Sequence, residues 1–300
     1  SPKNINVRRS LSIFILNQLL PEHEVLVVEM AMDRFGEIAE ICETVKPDIA
    51  VITNISKTHL ENLGTFERIK ETKAEILDTL DDDGVAVLNE DDEDVCSLAH
   101  RAPGRVIWFG TGNKRDLEGF YFKLMGKGSA YGALAAVAVA EELRLSPAEI
   151  RKGFTNIKPL PQRMNLIDTP RGFQVLDDSY NASDVSSLAA LKVFAKFPGR
   201  KIAVLGDMLE LGSHEKEAHT AVGKEAARVA DVLIAVGDLG KLIGTAAQKK
   251  GFSPIYFARG NNKATEILEK ELGLQKGDVI LVKGSRGAKM EEIVESLVGF

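Results

Sequence analysis

Short apolar runs alternate with stretches of helical spacing along the first half of the chain. A continuous apolar run is typical of a parallel strand buried on both faces, whereas apolar residues three and four positions apart predict a helix. Strands are predicted at residues 25–28, 49–52, 85–88 and 105–109. Helical spacing predicts helices over residues 36–45 and 66–80. We therefore expect a parallel α/β sheet in this half.

The second half repeats the alternation with clearer boundaries. Strands are predicted at residues 173–176, 201–205, 232–236, 255–257 and 279–282. Helices are predicted at residues 186–195, 215–229, 239–249, 263–272 and 288–297. Several strands end in Gly or Asp, as at Gly206 and Asp207. This order is typical of a doubly wound α/β sheet, which binds ligands beyond the carboxyl ends of its strands.

A proline-rich segment separates the two halves. Pro159 and Pro161 lie within residues 157–163, where the composition changes, and such a segment is suited to be a hinge. The length of 300 residues also favours two domains, because single cores stop growing at about 250–300 residues. We predict two doubly wound, mostly parallel-sheet α/β domains, at residues 1–161 and 162–300.

Charge and composition exclude some classes of function. The formal net charge of −6 argues against a nucleic-acid partner, which would require a basic face. No apolar run reaches the roughly 20 residues that would span a membrane. Cys42 and Cys96 have neither metal-type nor redox-type spacing, which favours reduced thiols in the cytoplasm.

Polar side chains follow the predicted strands of the first half. Glu29 follows residues 25–28 directly, and Asn54 and His59 follow residues 49–52. A carboxylate, an imidazole and an amide on one edge could bind a hard cation together with a nucleotide phosphate. Each residue also has a structural interpretation: Glu29 as a helix N-terminal charge, His59 as a packed loop residue.

Polar side chains follow the strands of the second half as well. Asp177 and Asp178 follow residues 173–176, and a Lys-Gly-Ser-Arg segment at 283–286 follows residues 279–282. That segment opens a predicted helix, so it could bind an anion or form a plain strand-to-helix turn. Arg163, beside the prolines, could form a salt bridge between domains.

Seven ordered segments match the motifs of one enzyme family. They are VEMAMDRFGEI at 28–38, PDIAVITNISKTHLENLG at 47–64, KAE at 73–75, PLPQRM at 159–164, DDSYNA at 177–182, LGDMLELG at 205–212 and VKGSRG at 282–287. Together they resemble the Mur ligases of bacterial cell-wall synthesis. The phrases of the second half are most similar to the members that add D-alanyl-D-alanine to the UDP-muramoyl tripeptide.

The resemblance implies a central ATPase-like domain and a Rossmann-like C-terminal domain, working in the cytoplasm on small molecules. In this family ATP phosphorylates the terminal carboxylate of a UDP-muramoyl peptide. The amine of D-Ala-D-Ala then attacks the acyl phosphate, and phosphate leaves. Closure of the two domains would expel water from that reactive intermediate.

The resemblance also implies roles for individual residues of the first half and the hinge. Glu29, His59 and Lys73 would ligate Mg²⁺. Lys73 would be carbamylated, which turns an ammonium into a carboxylate-like ligand, although a solvated lysine is its structural alternative. Lys73, His59 and Arg163 would form the catalytic group.

Two further groups of residues are implied to contact ligands. The residues expected to hold the nucleotide are Asn54, Arg163, Asp178, Tyr180 and Asn181. The residues expected to hold the incoming dipeptide are Lys283, Ser285 and Arg286.

The sequence departs from the family pattern at the phosphate site and the adenine site. The 300 residues contain no G-x-x-x-x-G-K-[ST] phosphate loop, so tight ATP binding is hard to explain. The chain is shorter than expected between Phe109 and Tyr131, and Gly132 stands near the position of an adenine-contacting Asn. Loss of the phosphate-loop strand would leave a sheet edge open to a partner.

Three interpretations therefore stay open. The chain is a cell-wall ligase that adds D-Ala-D-Ala, or an amide ligase of the same superfamily with another acid and amine. Lipid II amidating, polyglutamate-adding and cyanophycin-making relatives mark that range. The third interpretation is a scaffold that keeps the fold without nucleotide chemistry, which the absent phosphate loop favours.

Overall fold

A computed structural model describes residues 5–112, 127–155, 157 and 160–299 of the chain, without the side chains of residues 127 and 128. The chain forms two compact units. The first comprises Ser1–Gly119 and Tyr131–Arg151, and the second comprises Phe120–Ala130 and Lys152–Phe300. The predicted domain boundary at residues 161 and 162 stays a prediction. The expected shortening between Phe109 and Tyr131 lies mostly outside the described residues.

The first unit is built on a parallel sheet. Its strands, in the order β1-β2-β3, are β1 (Ile49–Ile52), β2 (Val85–Asn89) and β3 (Arg105–Phe109). The helices that the structure describes up to residue 155 are α1 (Arg8–Gln18), α2 (Glu37–Cys42), α3 (Leu60–Leu63), α4 (Phe66–Asp78), α5 (Glu93–Cys96), α6 (Lys127–Glu142) and α7 (Pro147–Thr155). Every residue of β2 is buried, as expected for the middle strand of a sheet covered on both faces.

The second unit is built on a larger sheet, in which only β4 is antiparallel to its neighbour. Its strands are β4 (Asn165–Asp168), β5 (Gln174–Asp178), β6 (Lys201–Leu205), β7 (Val232–Val236), β8 (Ile255–Ala258) and β9 (Val279–Lys283). Their order is β4-β5-β9-β6-β7-β8. The helices are α8 (Asp184–Phe194), α9 (Glu215–Val229), α10 (Gly237–Gln248), α11 (Asn261–Glu266), which continues as a π turn, and α12 (Glu291–Val298).

The core of the second unit has two layers because the strand residues alternate between the two faces of the sheet. Leu205 and Leu281 lie in one buried cluster with residues of α8, α9 and α10. Val204 and Ile280 lie in the other cluster, with residues of α11 and α12. Strand β9 is buried along its whole length between β5 and β6. The carboxyl ends of these three strands therefore meet at one edge.

The α/β class and most of the strands are confirmed. The strands predicted at residues 105–109, 201–205 and 232–236 coincide with β3, β6 and β7, and the helix predicted at residues 215–229 coincides with α9. Helices α1, α3, α5 and α7 and strand β4 are additions to the prediction. None of the helices in the described part of the chain is long and apolar enough to cross a membrane.

The strand predicted at residues 25–28 is wrong. The segment lies outside both sheets, and Val25 and Val27 are 54% and 73% exposed, whereas Leu26 and Val28 are half-buried. An apolar run indicates a buried strand only where the segment belongs to a sheet that is covered on both faces. Here Leu26 and Val28 are partly covered by the rest of the described chain, whereas Val25 and Val27 face solvent.

Substituting Gly223 of α9 by Ala should destabilise the protein, although Ala is the better helix former. A Cβ at this position would overlap the carbonyl oxygen of Ile243 in α10. We expect a loss of about 1–3 kcal/mol, the usual cost of overpacking. The matched variant Gly153→Ala in α7 has open space around its Cβ and should gain about 0.5–1 kcal/mol. Denaturant melts measure both, and equal effects of the two substitutions would contradict this packing.

Candidate functional site

The strand ends of the first unit are tied together by polar side chains. Asn89, at the end of β2, donates from Nδ2 to the carbonyl oxygen of Thr53 at 2.8 Å. Asp92 accepts from the backbone N–H of Ile55 at 3.1 Å, and its other oxygen caps α5 by accepting from Val95 N–H at 3.0 Å. These contacts fix the loop after β1, where the exposed side chain of Asn54 lies.

Lys73, in the middle of α4, is half-buried. Burial lowers the pKa of its amine, and the opposing attraction of Asp92 does not cancel that effect. Within the described residues, no hydrogen bond or ion pair is found for this amine. A lysine in such surroundings spends more time as a neutral, nucleophilic amine than a solvated lysine does.

His59 has a left-handed backbone conformation, with φ of +66°, just before α3. Its Nδ1 lies 3.2 Å from Oδ1 of Asp33. Glu29 lies on the exposed side of the extended segment that precedes Asp33. Asp33 is a residue that the sequence interpretation did not single out, because nothing in its spacing marks it as a neighbour of His59.

Glu75 has a structural task in the same helix as Lys73. It is buried, and its two carboxylate oxygens accept from the backbone N–H groups of Gly36 at 2.7 Å and Ala39 at 3.0 Å. These donors belong to the N-terminus of α2, where backbone N–H groups lack partners within the helix and favour a negative charge. Glu75 thereby fixes α2 against α4.

No group of three or more His, Cys, Asp or Glu side chains positioned to bind a metal is found in the described part of the chain. Two features nevertheless fit a hard cation. Glu29 offers carboxylate oxygens, the ligand type that Mg²⁺ prefers, and Mg²⁺ needs only one or two protein carboxylates. Lys73 would offer two more oxygens and a negative charge once carbamylated.

In the second unit, Asp178 and Lys283 form a buried ion pair. They end the neighbouring strands β5 and β9 and are directly paired in the parallel register. Lys283 Nζ donates to Asp178 Oδ2 at 2.6 Å and to the carbonyl oxygen of Asn181 at 2.9 Å. The side chains are only 3% and 14% exposed for Lys283 and Asp178 respectively. Asp178 Oδ1 also accepts from Met164 N–H at 3.1 Å.

Burial sets the protonation behaviour of this pair. It raises the pKa of Asp178, while Lys283 and Arg163 act in the opposite direction. Burial likewise lowers the pKa of Lys283, against the attraction of Asp178. The neighbouring Asp177 also has a pKa raised by burial, although Ser179 donates two hydrogen bonds to it. Each partner therefore depends on the other to stay charged.

Lys283 and Ser285 thus lie inside the protein, while Arg286 is exposed. Ser285 Oγ donates to the carbonyl oxygen of Ala182 at 3.2 Å and accepts from Leu209 N–H at 2.8 Å. These bonds connect the turn after β9 with the turns after β5 and β6. Of the residues expected to hold a dipeptide, only Arg286 presents its side chain to solvent.

Two arginines lie beside one aromatic ring at this edge. The guanidinium carbons of Arg163 and Arg286 lie 4.0 Å and 5.8 Å from the centroid of the Tyr180 ring. Tyr180 is positioned by a hydrogen bond from its backbone N–H to the carbonyl oxygen of Gln162 at 3.1 Å. Glu291 neutralises Arg286 at 2.7 Å, whereas Arg163 is exposed. Guanidinium groups at the carboxyl ends of parallel strands are well suited to bind phosphate.

The turn after β6, within the LGDMLELG segment, is held from several sides. Asp207 Oδ1 accepts from Leu239 N–H at 3.0 Å and Gly240 N–H at 2.7 Å at the start of α10. The buried His219 accepts from Met208 N–H at its Nε2, 3.0 Å away, and donates from Nδ1 to the carbonyl oxygen of Glu215. This motif therefore has a structural task, which its sequence spacing did not indicate.

The structure thus forms two sets of predicted residues. Arg163, Asp178, Tyr180, Asn181, Lys283, Ser285 and Arg286 lie together at the carboxyl ends of β5 and β9. Asn54, His59, Lys73 and Glu29 lie in the first unit. The ligand roles of both sets stay predictions.

Two family models match this chain. Residues 2–140 match the one described as the Mur ligase middle domain. Residues 162–286 match the one described as the Mur ligase, glutamate ligase domain. The two matches cover nearly all of both units.

The chain is also similar to individual proteins. It is 33% identical to the UDP-N-acetylmuramoyl-tripeptide–D-alanyl-D-alanine ligase of Bacillus subtilis (strain 168), across 98% of this chain and 68% of that protein. The crystal structure of MurF from Acinetobacter baumannii aligns with a TM-score of 0.87 and 26% identity, over 99% of this chain and 70% of that one. MurF ligase from Thermotoga maritima in complex with ADP aligns with a TM-score of 0.85 and 29% identity, over 99% and 72%.

Proposed function

Because the chain belongs to the Mur ligase family, we propose that it acts in the ATP-dependent joining of D-alanyl-D-alanine to a UDP-muramoyl tripeptide. The observation that supports this most is the set of groups at the ends of β5 and β9. Asp178 lies there beside Arg163 and the ring of Tyr180. The relative from B. subtilis is named for this reaction, and the T. maritima relative was solved with ADP. The cytoplasmic location expected from the cysteines is part of the proposal.

The second unit would bind the nucleotide and the incoming amine. Exposed Arg163 would neutralise phosphate oxygens as the γ-phosphoryl group passes from ATP to the carboxylate substrate and negative charge builds up on the departing ADP. Asp178, with lone pairs left beyond its bonds to Lys283 and Met164, would accept hydrogen bonds from nucleotide hydroxyls. Arg286 would pair with the carboxylate of D-Ala-D-Ala, whose free amine attacks the acyl phosphate.

The first unit would supply the metal and the lysine. Bound Mg²⁺ would neutralise the phosphate charge, and Glu29, His59 and carbamylated Lys73 are the residues that would hold it. Carbamylation joins the neutral amine of Lys73 to CO₂ and releases one proton. The lowered pKa of Lys73 favours this reaction, since only the neutral amine has the lone pair that attacks carbon. Asn54, exposed beside this loop, would contact the nucleotide.

Two other functions stay as competitors. Another amide ligase of the superfamily would use the same residues with a different acid and amine. A scaffold without catalysis is the second competitor, and it too stays a prediction. A protein partner at an exposed sheet edge is compatible with either of these two functions and also stays a prediction.

Product analysis distinguishes these functions. The protein is incubated with MgATP, a UDP-muramoyl tripeptide and D-Ala-D-Ala, and mass spectrometry follows the UDP-muramoyl pentapeptide while a coupled assay follows ADP. We expect equal amounts of pentapeptide and ADP, and, when the dipeptide is omitted, no pentapeptide and at most one equivalent of ADP per enzyme molecule. Arg163→Met should lower kcat/KM by about 10²-fold or more, the usual range for one lost charge-stabilising donor.

Each other outcome would point elsewhere. Product formed with glutamate or ammonia in place of the dipeptide would support a different amide ligase. Absence of both product and ADP under all substrate combinations would support the scaffold.

Lys73 should be carbamylated in the absence of any nucleotide. In the protein equilibrated with ¹³C-bicarbonate, we expect a carbamate carbon signal in the NMR spectrum that Lys73→Arg removes and that weakens as the pH falls and the amine is protonated. Lys70→Arg is the matched control, since Lys70 lies on the same helix and is paired with Asp94 at 2.9 Å. A signal that survives Lys73→Arg would show that another amine is modified.

A further inference from the structure

Lys283 was expected to contact the substrate, yet its side chain is buried inside the second unit. Its ammonium group is almost completely buried and makes its two hydrogen bonds to Asp178 and to the backbone of Asn181. A side chain placed in this way reaches no ligand directly. What it does contact is Asp178, the last residue of β5, and Asn181, within the turn that leads to α8.

We propose that Lys283 is a positioning residue for the nucleotide, which acts by fixing Asp178 and the turn 178–181 at the carboxyl end of β5. This inference rests on the proposed nucleotide site. The parallel register between β5 and β9 places the two side chains opposite each other. The second bond, to the Asn181 carbonyl oxygen, sets the path of the chain on either side of Tyr180.

The charge of Lys283 has a second effect, on the ionisation of Asp178. Only the ionised carboxylate offers lone pairs on both oxygens for ligand hydroxyls. The charged groups that act on Asp178 are Lys283, Arg163 and its neighbour Asp177. Lys283 makes the shortest contact, and loss of its charge would leave a buried carboxylate with a raised pKa.

The test measures MgADP affinity by calorimetry between about pH 6 and pH 9, the range in which buried carboxyl groups without a partner titrate. In Lys283→Met we expect the affinity for MgADP at the acid end to be at least about tenfold weaker than in the wild type, because the Asp178 carboxyl group would be mostly protonated there. The affinity should recover as the pH rises and Asp178 ionises. Asp178→Asn should bind weakly at every pH, because it has no charge to recover.

A second ion pair in the same sheet provides the control for a purely structural role. Arg200 and Asp278 lie just before β6 and β9, at the opposite edge of the sheet, and are joined at 2.6 Å with Asp278 buried. Arg200→Met should lower the melting temperature without changing MgADP affinity or its pH dependence. If Lys283→Met does not fold, Lys283→Gln replaces it, since an amide still donates a hydrogen bond but removes the charge.

The outcomes separate this inference from the function on which it rests. Wild-type binding with an unchanged affinity and pH profile in the Lys283 variant would overturn the positioning role alone. Wild-type protein that binds no MgADP would overturn the proposed function, and the inference with it. Weaker binding that recovers with pH in the Lys283 variant, but not in Asp178→Asn, is the result that supports it.

Discussion

A buried ammonium group loses its hydration and needs an anion nearby to stay charged. Burial lowers the pKa of two lysines in the described part of the chain, Lys283 and Lys73, and their surroundings differ. Lys283 is matched with Asp178 at the ends of adjacent strands, whereas Lys73 is half-buried in a helix with no ion-pair partner among the described residues. The ion pair helps Lys283 to stay protonated, whereas burial lowers the pKa of the Lys73 amine and favours its neutral form. The chemistry proposed for the two units follows from this difference.

In the second unit, the sheet topology creates the site. Strand β9 lies between β5 and β6 although the three are far apart in sequence, so its end brings the turns of both neighbours together. Ser285 joins these turns by hydrogen bonds, and Gly206 and Gly284 leave room for Met290 to pack between the strand ends. The exposed guanidinium groups of Arg163 and Arg286 are therefore presented from a rigid edge.

The sequence predicted the elements whose signal is local. Residues 201–205 and 232–236 are continuous apolar runs, and both are strands buried on two faces. Strand β4 was not predicted, because it begins with polar Asn165, ends with polar Asp168 and has only two apolar residues between them. Residues 25–28 show the opposite error, in which a strand was predicted where none is found. Their apolar content indicated burial, but apolar content alone does not show that a segment joins a sheet. The resemblance implied the site residues, whose roles stay predictions, but it did not indicate the pairing of Lys283 with Asp178, which spans 105 positions and depends on strand register.

We expect the chain to bind MgATP even though its 300 residues contain no phosphate-loop motif. Calorimetric titration of the protein with MgATP tests that claim most directly. We expect saturable binding with a Kd at or below about 100 μM, which corresponds to about −5.5 kcal/mol. The absence of detectable heat at millimolar MgATP would contradict it, and would leave a Mur-type fold whose residues do not by themselves bind the nucleotide.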